Sequence, residues 1–285
     1  MEVVVSKGFL LFAQNTDSVD YVKQAYALAL SIKNTQNFIK NVSLVTNSKI
    51  PKKYSKVFDQ IIPIPYFKKI KNSSLQAEHR YQLYNASPYD ETIVLDSDML
   101  MSNDISGWWD YCSNYDIHFC NRVTNYKLET ITDTVHRKTF IANELPNVYY
   151  ALHYFKKSEK AQEFFKVLEF VVNNWQACYG KFAPMEYQNW VSMDVSAAIA
   201  IKLSGMEEVA TTSTNPMNFT HMKSAIQGWP IIPDSWQTAV PCILDKRGNL
   251  IVGNIRQNEL FHYVEKNFVN EKILAKLEEL NNART

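Results

Sequence analysis

The sequence predicts an α/β fold built around a parallel, nucleotide-type sheet, and three observations carry that prediction. Through the first hundred residues, strand-like and helix-like segments alternate in the βαβ rhythm that parallel strands require. One segment, residues 92–95, is an unbroken run that reads as a strand covered on both faces. It closes on Asp96, Ser97 and Asp98, which puts two carboxylates beyond the carboxyl end of a strand, where ligands bind in open α/β sheets.

Residues 9–13 form the first short apolar strand. The polar stretch 15–18 then supplies helix-capping types before Val22, Ala25, Tyr26 and Ala29 trace one helical face. A second strand is expected over 42–46 and a third over 61–64, with a lysine-rich segment between and beyond them. Residues 75–86 read as a helix ahead of the strand that ends at Asp96. In the second half, 147–155 is aromatic and strand-like, and Ser158 opens an amphipathic helix marked by Ala161, Phe164, Phe165, Leu168 and Val172. Residues 195–203 are a further apolar helix. The runs 243–244 and 250–252 flank Lys246, Arg247, Gly248 and Asn249 as the arms of a hairpin, and Ile273, Leu274, Leu277 and Leu280 close the chain with a helix packed on one side. No repeat, linker or low-complexity tract interrupts this, so one continuous domain over 1–285 is expected.

With 285 residues, 46% hydrophobic and 21% charged, the chain can bury a large core. It has no N-terminal signal pattern and no apolar stretch near the roughly 20 residues of a membrane span, so a cytoplasmic protein is expected. Cys112, Cys120, Cys178 and Cys242 show no paired spacing and read as buried thiols rather than a zinc or redox site. The seven glycines form neither a dinucleotide fingerprint nor a P-loop, which argues against NAD and ATP. Net charge is only +1, yet Lys49, Lys52, Lys53, Lys56, Lys68, Lys69 and Lys71 face the single acid Asp59. That run is either a solvated face or a landing surface for a polyanion.

Side chains alternate along an extended chain, so Asp96 and Asp98 project to one side and Ser97 to the other. Such a pair suits Mg2+ or Mn2+, which take carboxylate oxygens and fill remaining positions with water and substrate phosphates. The expected substrate therefore carries a diphosphate. The competing reading is an exposed acidic turn that holds no metal.

Taken in order, the segment AQNTDSVDYVKQAYALALSIK after the first strand, TIVLDSDML, NVYYALHYFKKSEKAQEFF and a late His followed by Lys resemble a GT-A glycosyltransferase, most similar to the glycogenin and bacterial galactosyltransferase group, family 8. The resemblance implies a Rossmann-like mixed sheet flanked by helices, with a nucleotide-sugar half over 1–110 and an acceptor half over 111–285. It implies that Asp96 and Asp98 hold manganese against the diphosphate of a nucleotide sugar, with Ser97 between them. A late histidine would complete the metal site, and His262 and His221 are the candidates, each with a lysine nearby, Lys266 or Lys223, able to reach a phosphate; the family's order, with the ligand last in the core, favours His262. Ala13, Gln14, Asn15 and Tyr21 fall where the family holds the nucleoside, and Arg80 at a basic position aimed at the diphosphate. Asp194 falls where an acid bonds donor-sugar hydroxyls, although it is equally a helix cap. Family members retain configuration; an inverting enzyme would need a base, for which Glu186 and Asp194 are the nearest carboxylates.

Two other classes fit parts of this pattern. Haloacid-dehalogenase-like phosphatases also end an apolar strand in two aspartates and need a later acidic pair, for which only Glu207 and Glu208 offer a match. A non-catalytic sugar-binding module could use the many aromatic residues as stacking faces. The acceptor would be set by the stretch 102–147, with Trp108 and Trp109 lining a cleft or packing beneath one. Low glycine, abundant Asn and Lys and a compact chain resemble phage-encoded sugar transferases, which makes hydroxymethylated cytosine in DNA a candidate acceptor beside a glycan or a protein.

Overall fold

The computed structural model describes residues 6–65, 77–131, 137–186, 188–210, 214–222 and 236–283. In chain order its strands are β1 (Lys7–Phe12), β2 (Val42–Val45), β3 (Gln60–Ile62), β4 (Glu91–Asp96), β5 (Met99–Met101), β6 (Ile117–Cys120), β7 (Val123–Thr124), β8 (Tyr149–Lys156), β9 (Phe219–His221), β10 (Cys242–Leu244), β11 (Leu250–Val252), β12 (Ile255–Arg256) and β13 (Leu260–His262). The central sheet has the order β3-β2-β1-β4-β8-β6. Its first four strands are parallel, as the βαβ rhythm requires, while β8 runs antiparallel to β4 and β6 antiparallel to β8.

Alternation along β1 and β4 builds two cores. Phe9, Leu11, Ile93 and Leu95 pack with helix α1 (Tyr21–Thr35) and the C-terminal helix Glu271–Asn282, whereas Leu10, Phe12 and Val94 face the helices Glu159–Asn173 and Met193–Ser204. Burying both faces explains the unbroken run at 92–95. The cap of α1 is Asp20, whose carboxylate accepts from the Lys23 amide at 2.9 Å, and Asn15 from the expected capping stretch accepts from the Val22 amide at 2.9 Å. The third strand stops at Ile62 because Pro63 has no amide to continue the ladder. The helix expected over 75–86 is, from Ala77, a tight 3-10 stretch to Gln82 followed by one α-turn, Leu83–Ala86. The 3-10 spacing brings His79 Nδ1 and Gln82 Nε2 to 3.3 Å.

A second sheet, β5-β13-β9-β7, has no counterpart in the sequence reading, because two- and three-residue strands carry too little alternation to register. The hairpin does form, as β10 and β11, with Gly248 at φ 85° in its turn. Cys112, Cys120 and Cys178 are buried, while Cys242 is partly exposed. Lys49, Lys52, Lys53 and Lys56 are exposed, and Lys53 pairs with Glu278 at 2.7 Å; Lys68, Lys69 and Lys71 lie outside the described residues. Among the described residues no helix is long and apolar enough to cross a membrane.

One close approach inside this sheet has a measurable consequence. The Tyr89 ring lies directly over Gly8, where any Cβ would overlap the ring, and the Tyr89 hydroxyl bonds Ser43 at 2.7 Å in the interior. Gly8→Ala must displace the ring and its hydrogen bond, so it should destabilise the fold by about 1–3 kcal/mol. A thermal melt should show a midpoint lower by about 2–4 °C per kcal/mol, and an unchanged midpoint would contradict the packing.

Candidate active site

The chain turns sharply after β4. Asp96 ends the strand, Ser97 and Asp98 make the turn, and β5 leaves for the second sheet, where Met99 pairs with His262 and Leu100 with Phe261 of antiparallel β13. That register delivers His262 to the aspartates. Its Nε2 lies 3.1 Å from Asp98 Oδ1, and the Tyr263 amide donates to the Asp98 carbonyl at 3.2 Å. Donor atoms of Asp96, Asp98 and His262 all lie within 4.8 Å of one another. Two carboxylates and one imidazole can hold a divalent cation.

Two cations balance the carboxylates. Arg80 pairs with Asp96, its guanidinium 5.0 Å from the Tyr150 ring centroid, and the Tyr150 hydroxyl donates to the Arg80 carbonyl at 2.9 Å. Lys266 pairs with Asp98, its ammonium 5.1 Å from the Tyr21 ring centroid. Burial works to raise the Asp98 proton affinity, but His262 and Lys266 outweigh it and hold the carboxyl well below the usual carboxylate range. Burial likewise works against the Lys266 charge, and Asp98 overcomes it, so the ammonium titrates above its ordinary value. Between His262 and Lys266 the backbone turns at Val264, whose φ of 61° is unusual for a β-branched residue.

A cavity of about 400 Å³ opens in front of these groups. Phe12, Tyr149 and Phe219 give it apolar walls, and Gln14, Tyr21, Arg80, His221, Lys266 and Asp194 line it where the sequence placed them; Ser97 lines it too, against the alternation expected of a strand, because β4 ends at Asp96 and Ser97 and Asp98 form a turn. Other expected residues do not line it. Ala13 is buried, donating its amide to the Val45 carbonyl at 3.1 Å, and Asn15 is spent on the start of α1. Glu186 lines a separate depression beside Tyr179 and pairs with Lys138 at 3.0 Å. Lys223 lies outside the described residues.

The two histidines occupy neighbouring strands. His262 and His221 are register partners across parallel β13 and β9, their rings stacked at 4.9 Å. Only His262 joins the aspartates in the group able to hold a cation, and His221 stands beside it on the cavity wall. Asp194 is in the first turn of its helix, but the cap there is Ser192, which accepts from the Val195 amide. The Asp194 carboxylate instead accepts from the Tyr150 amide at 2.8 Å and from Arg137 at 2.7 Å. Arg137 was not marked in the sequence, where no periodicity or motif surrounds it. Trp108 and Trp109 are buried in the core, Trp109 edge-on to Phe9, rather than lining a cleft. Glu207 and Glu208 are exposed on a short helix and do not line the cavity, so the acidic pair a phosphatase needs is not brought to Asp96.

No protein-family model matches the chain, and no curated protein matches it in sequence. Among solved structures it is similar to the galactosyltransferase LgtC, solved with donor and acceptor sugar analogues, at 13% identity and a TM-score of 0.52 over 96% of this chain and 95% of LgtC. It is also similar to the bifunctional glycosyltransferase WbbM, at 12% identity and a TM-score of 0.50 over 99% of this chain and 50% of WbbM. The glycosyltransferase GlyE of Streptococcus pneumoniae TIGR4 matches at 11% identity and a TM-score of 0.47, with 98% of this chain covering 63% of GlyE. The chain thus spans half of WbbM and under two thirds of GlyE. The fold is the GT-A glycosyltransferase fold, a mixed sheet flanked by helices, as the motif order in the sequence led us to expect.

Proposed function

We propose that a chain with this GT-A fold and this cavity is a manganese-dependent glycosyltransferase, which moves a hexosyl or pentosyl group from a nucleotide sugar, UDP-linked in the first instance, to a hydroxyl acceptor. The observation that carries the reading is the convergence of Asp96, Asp98, His262, Arg80 and Lys266 on one cavity. Asp96, Asp98 and His262 would hold the ion. Bound there, it would supply Lewis-acid stabilisation to the departing diphosphate. Lys266 and Arg80 add fixed positive charge on the same side, so that the chain itself stabilises the charge that develops on the leaving group. The Gln14 and Tyr21 walls suit the nucleoside, and Asp194 would accept hydrogen bonds from sugar hydroxyls.

Retention is the stereochemical course we favour. Among the described residues the carboxylates lining the cavity are Asp96, Asp98 and Asp194, and Asp194 is bonded at both oxygens. These carboxylates are committed to cations or to fixed hydrogen bonds, and we assign the acceptor proton to the departing phosphate rather than to Asp194, whose open lone pairs we assign to donor-sugar hydroxyls. As acceptor we favour a sugar hydroxyl, the class of acceptor analogue with which LgtC was solved.

Calorimetric titration of UDP with and without manganese tests the reading. Binding that requires manganese supports it; absence of binding by UDP, GDP and other nucleotides alike would sink it in favour of a sugar-binding module. Salt-sensitive binding to duplex DNA, lost when Lys52, Lys53 and Lys56 are neutralised, would move the acceptor from a sugar to DNA.

A further inference from the structure

Arg137 makes a more complete set of contacts than any role assigned so far requires. It stands at the start of the short helix Lys138–Ala142, and its guanidinium lies 3.8 Å from the Phe140 ring centroid and 4.1 Å from that of Tyr149. Each of its nitrogens donates. Nε bonds Asn147 Oδ1 at 2.7 Å, one terminal nitrogen bonds Asp194 Oδ2 at 2.7 Å, and the other bonds the Val148 carbonyl. A planar fork stacked between rings and bonded at every nitrogen has almost no freedom left.

Asp194 is the one partner of that fork that faces the cavity. Its helix does not need it, since Ser192 is the cap. Its two oxygens are instead fixed from two sides, by Arg137 and by the Tyr150 amide of β8. An oxygen that accepts one such bond keeps a second lone pair, and the side chain remains 32% exposed toward the cavity. Tyr149, on which the guanidinium stacks, is itself a cavity wall. One arginine therefore locks both a hydrogen-bonding group and an apolar surface of the same site.

We infer that Arg137 is a positioning residue for the donor sugar: it holds the Asp194 carboxylate, and the Tyr149 ring beside it, in the orientation that receives sugar hydroxyls. The inference rests on the transferase reading above. It separates the site into two parts with different dependences. The metal and diphosphate part, built on Asp96, Asp98, His262, Lys266 and Arg80, takes none of Arg137's hydrogen bonds among the described residues. The sugar part meets Arg137 through Asp194 and Tyr149.

The test compares Arg137→Met, Arg137→Lys, Asp194→Asn and the double variant Arg137→Met with Asp194→Asn. Each is titrated with UDP and manganese, and each is assayed for release of UDP from whichever of UDP-glucose, UDP-galactose, UDP-xylose and UDP-N-acetylglucosamine the native protein turns over fastest. UDP affinity should stay within about twofold in every variant, whereas turnover of the sugar nucleotide should fall about 100-fold in Arg137→Met, the scale of a misplaced site group. Asp194→Asn should lose about as much, and the double variant no more, because the two act as one unit. Arg137→Lys keeps the charge without the fork and should stay closer to Arg137→Met than to the native protein. Losses that multiply in the double variant would overturn the inference. So would a loss of UDP affinity matching the loss of turnover, which is what a merely structural cross-link gives, or full activity in Arg137→Lys. If the native protein shows neither manganese-dependent UDP binding nor turnover, the transferase reading itself falls and takes the inference with it. Native binding combined with additive variants overturns the inference alone.

Discussion

Asp98→Asn is expected to abolish manganese-dependent binding of UDP and to lower sugar transfer by about 1,000-fold or more, since loss of a ligand to a catalytic ion forfeits several kcal/mol and each 1.4 kcal/mol is a factor of ten. The change is nearly isosteric, so the loss would come from charge and not from shape. Asp98 is only 7% exposed and faces His262 and Lys266 at once, and the neighbouring carboxylate, Asp96, is already a member of the same ligand group and paired with Arg80, so it cannot replace the lost ligand. The same substitution has a metal-free signature whose sign follows from proton linkage. The native carboxyl titrates below its unfolded-state value of about 3.9, so its ionised form stabilises the fold above that pH, and this contribution is lost as pH falls toward the native value. In chelator, the native protein should melt above Asp98→Asn at neutral pH, and the gap should close progressively below about pH 4. Undiminished UDP binding by the variant would show that Asp98 is not a ligand. A gap that widens in acid would show that its ion pairs do not stabilise the fold.

What the sequence disclosed and what it withheld divide along a physical line. Local signals were legible. The run at 92–95 announced a strand buried on both faces, and the aspartates at its end were found together at the mouth of the cavity. Ser158 caps its helix as read, and the 243–252 hairpin forms. Contacts set by distant register were not legible. The family's order favoured His262 over His221, but the residues themselves could not show why, since the choice depends on β13 pairing with β5 in one register and strands of three residues leave no periodic trace. Arg137 reaches Asp194 across 57 positions, a contact made by tertiary placement that no local pattern marks. Glu186, named with Asp194 as a candidate base by its position in the sequence, lines a different depression. Trp108 and Trp109 illustrate the ordinary outcome for aromatic side chains, which is burial in the core.

Lys266→Met is expected to lower sugar transfer and UDP affinity while leaving manganese bound as tightly or more tightly. The ammonium is paired with Asp98 and stands over Tyr21 on the cavity wall, so it is placed both to oppose a cation at the aspartates and to meet the charge of a departing diphosphate. Removing it should lower transfer by about 100- to 1,000-fold, as loss of a preorganised group facing developing charge does. UDP affinity should fall by less, about tenfold to 100-fold, the worth of one charge-assisted hydrogen bond. Manganese alone, followed by electron paramagnetic resonance without nucleotide, should bind as tightly or more tightly, because the ion no longer has to displace a cation from the Asp98 carboxylate. A neutral side chain of similar length keeps the packing against Tyr21, so a fall in all three quantities would need another cause. If manganese binding weakens along with the rest, Lys266 organises the aspartates instead of competing for them. The pairing with Asp98 would then be part of the ion site's architecture, and the diphosphate would have to find its positive charge in Arg80.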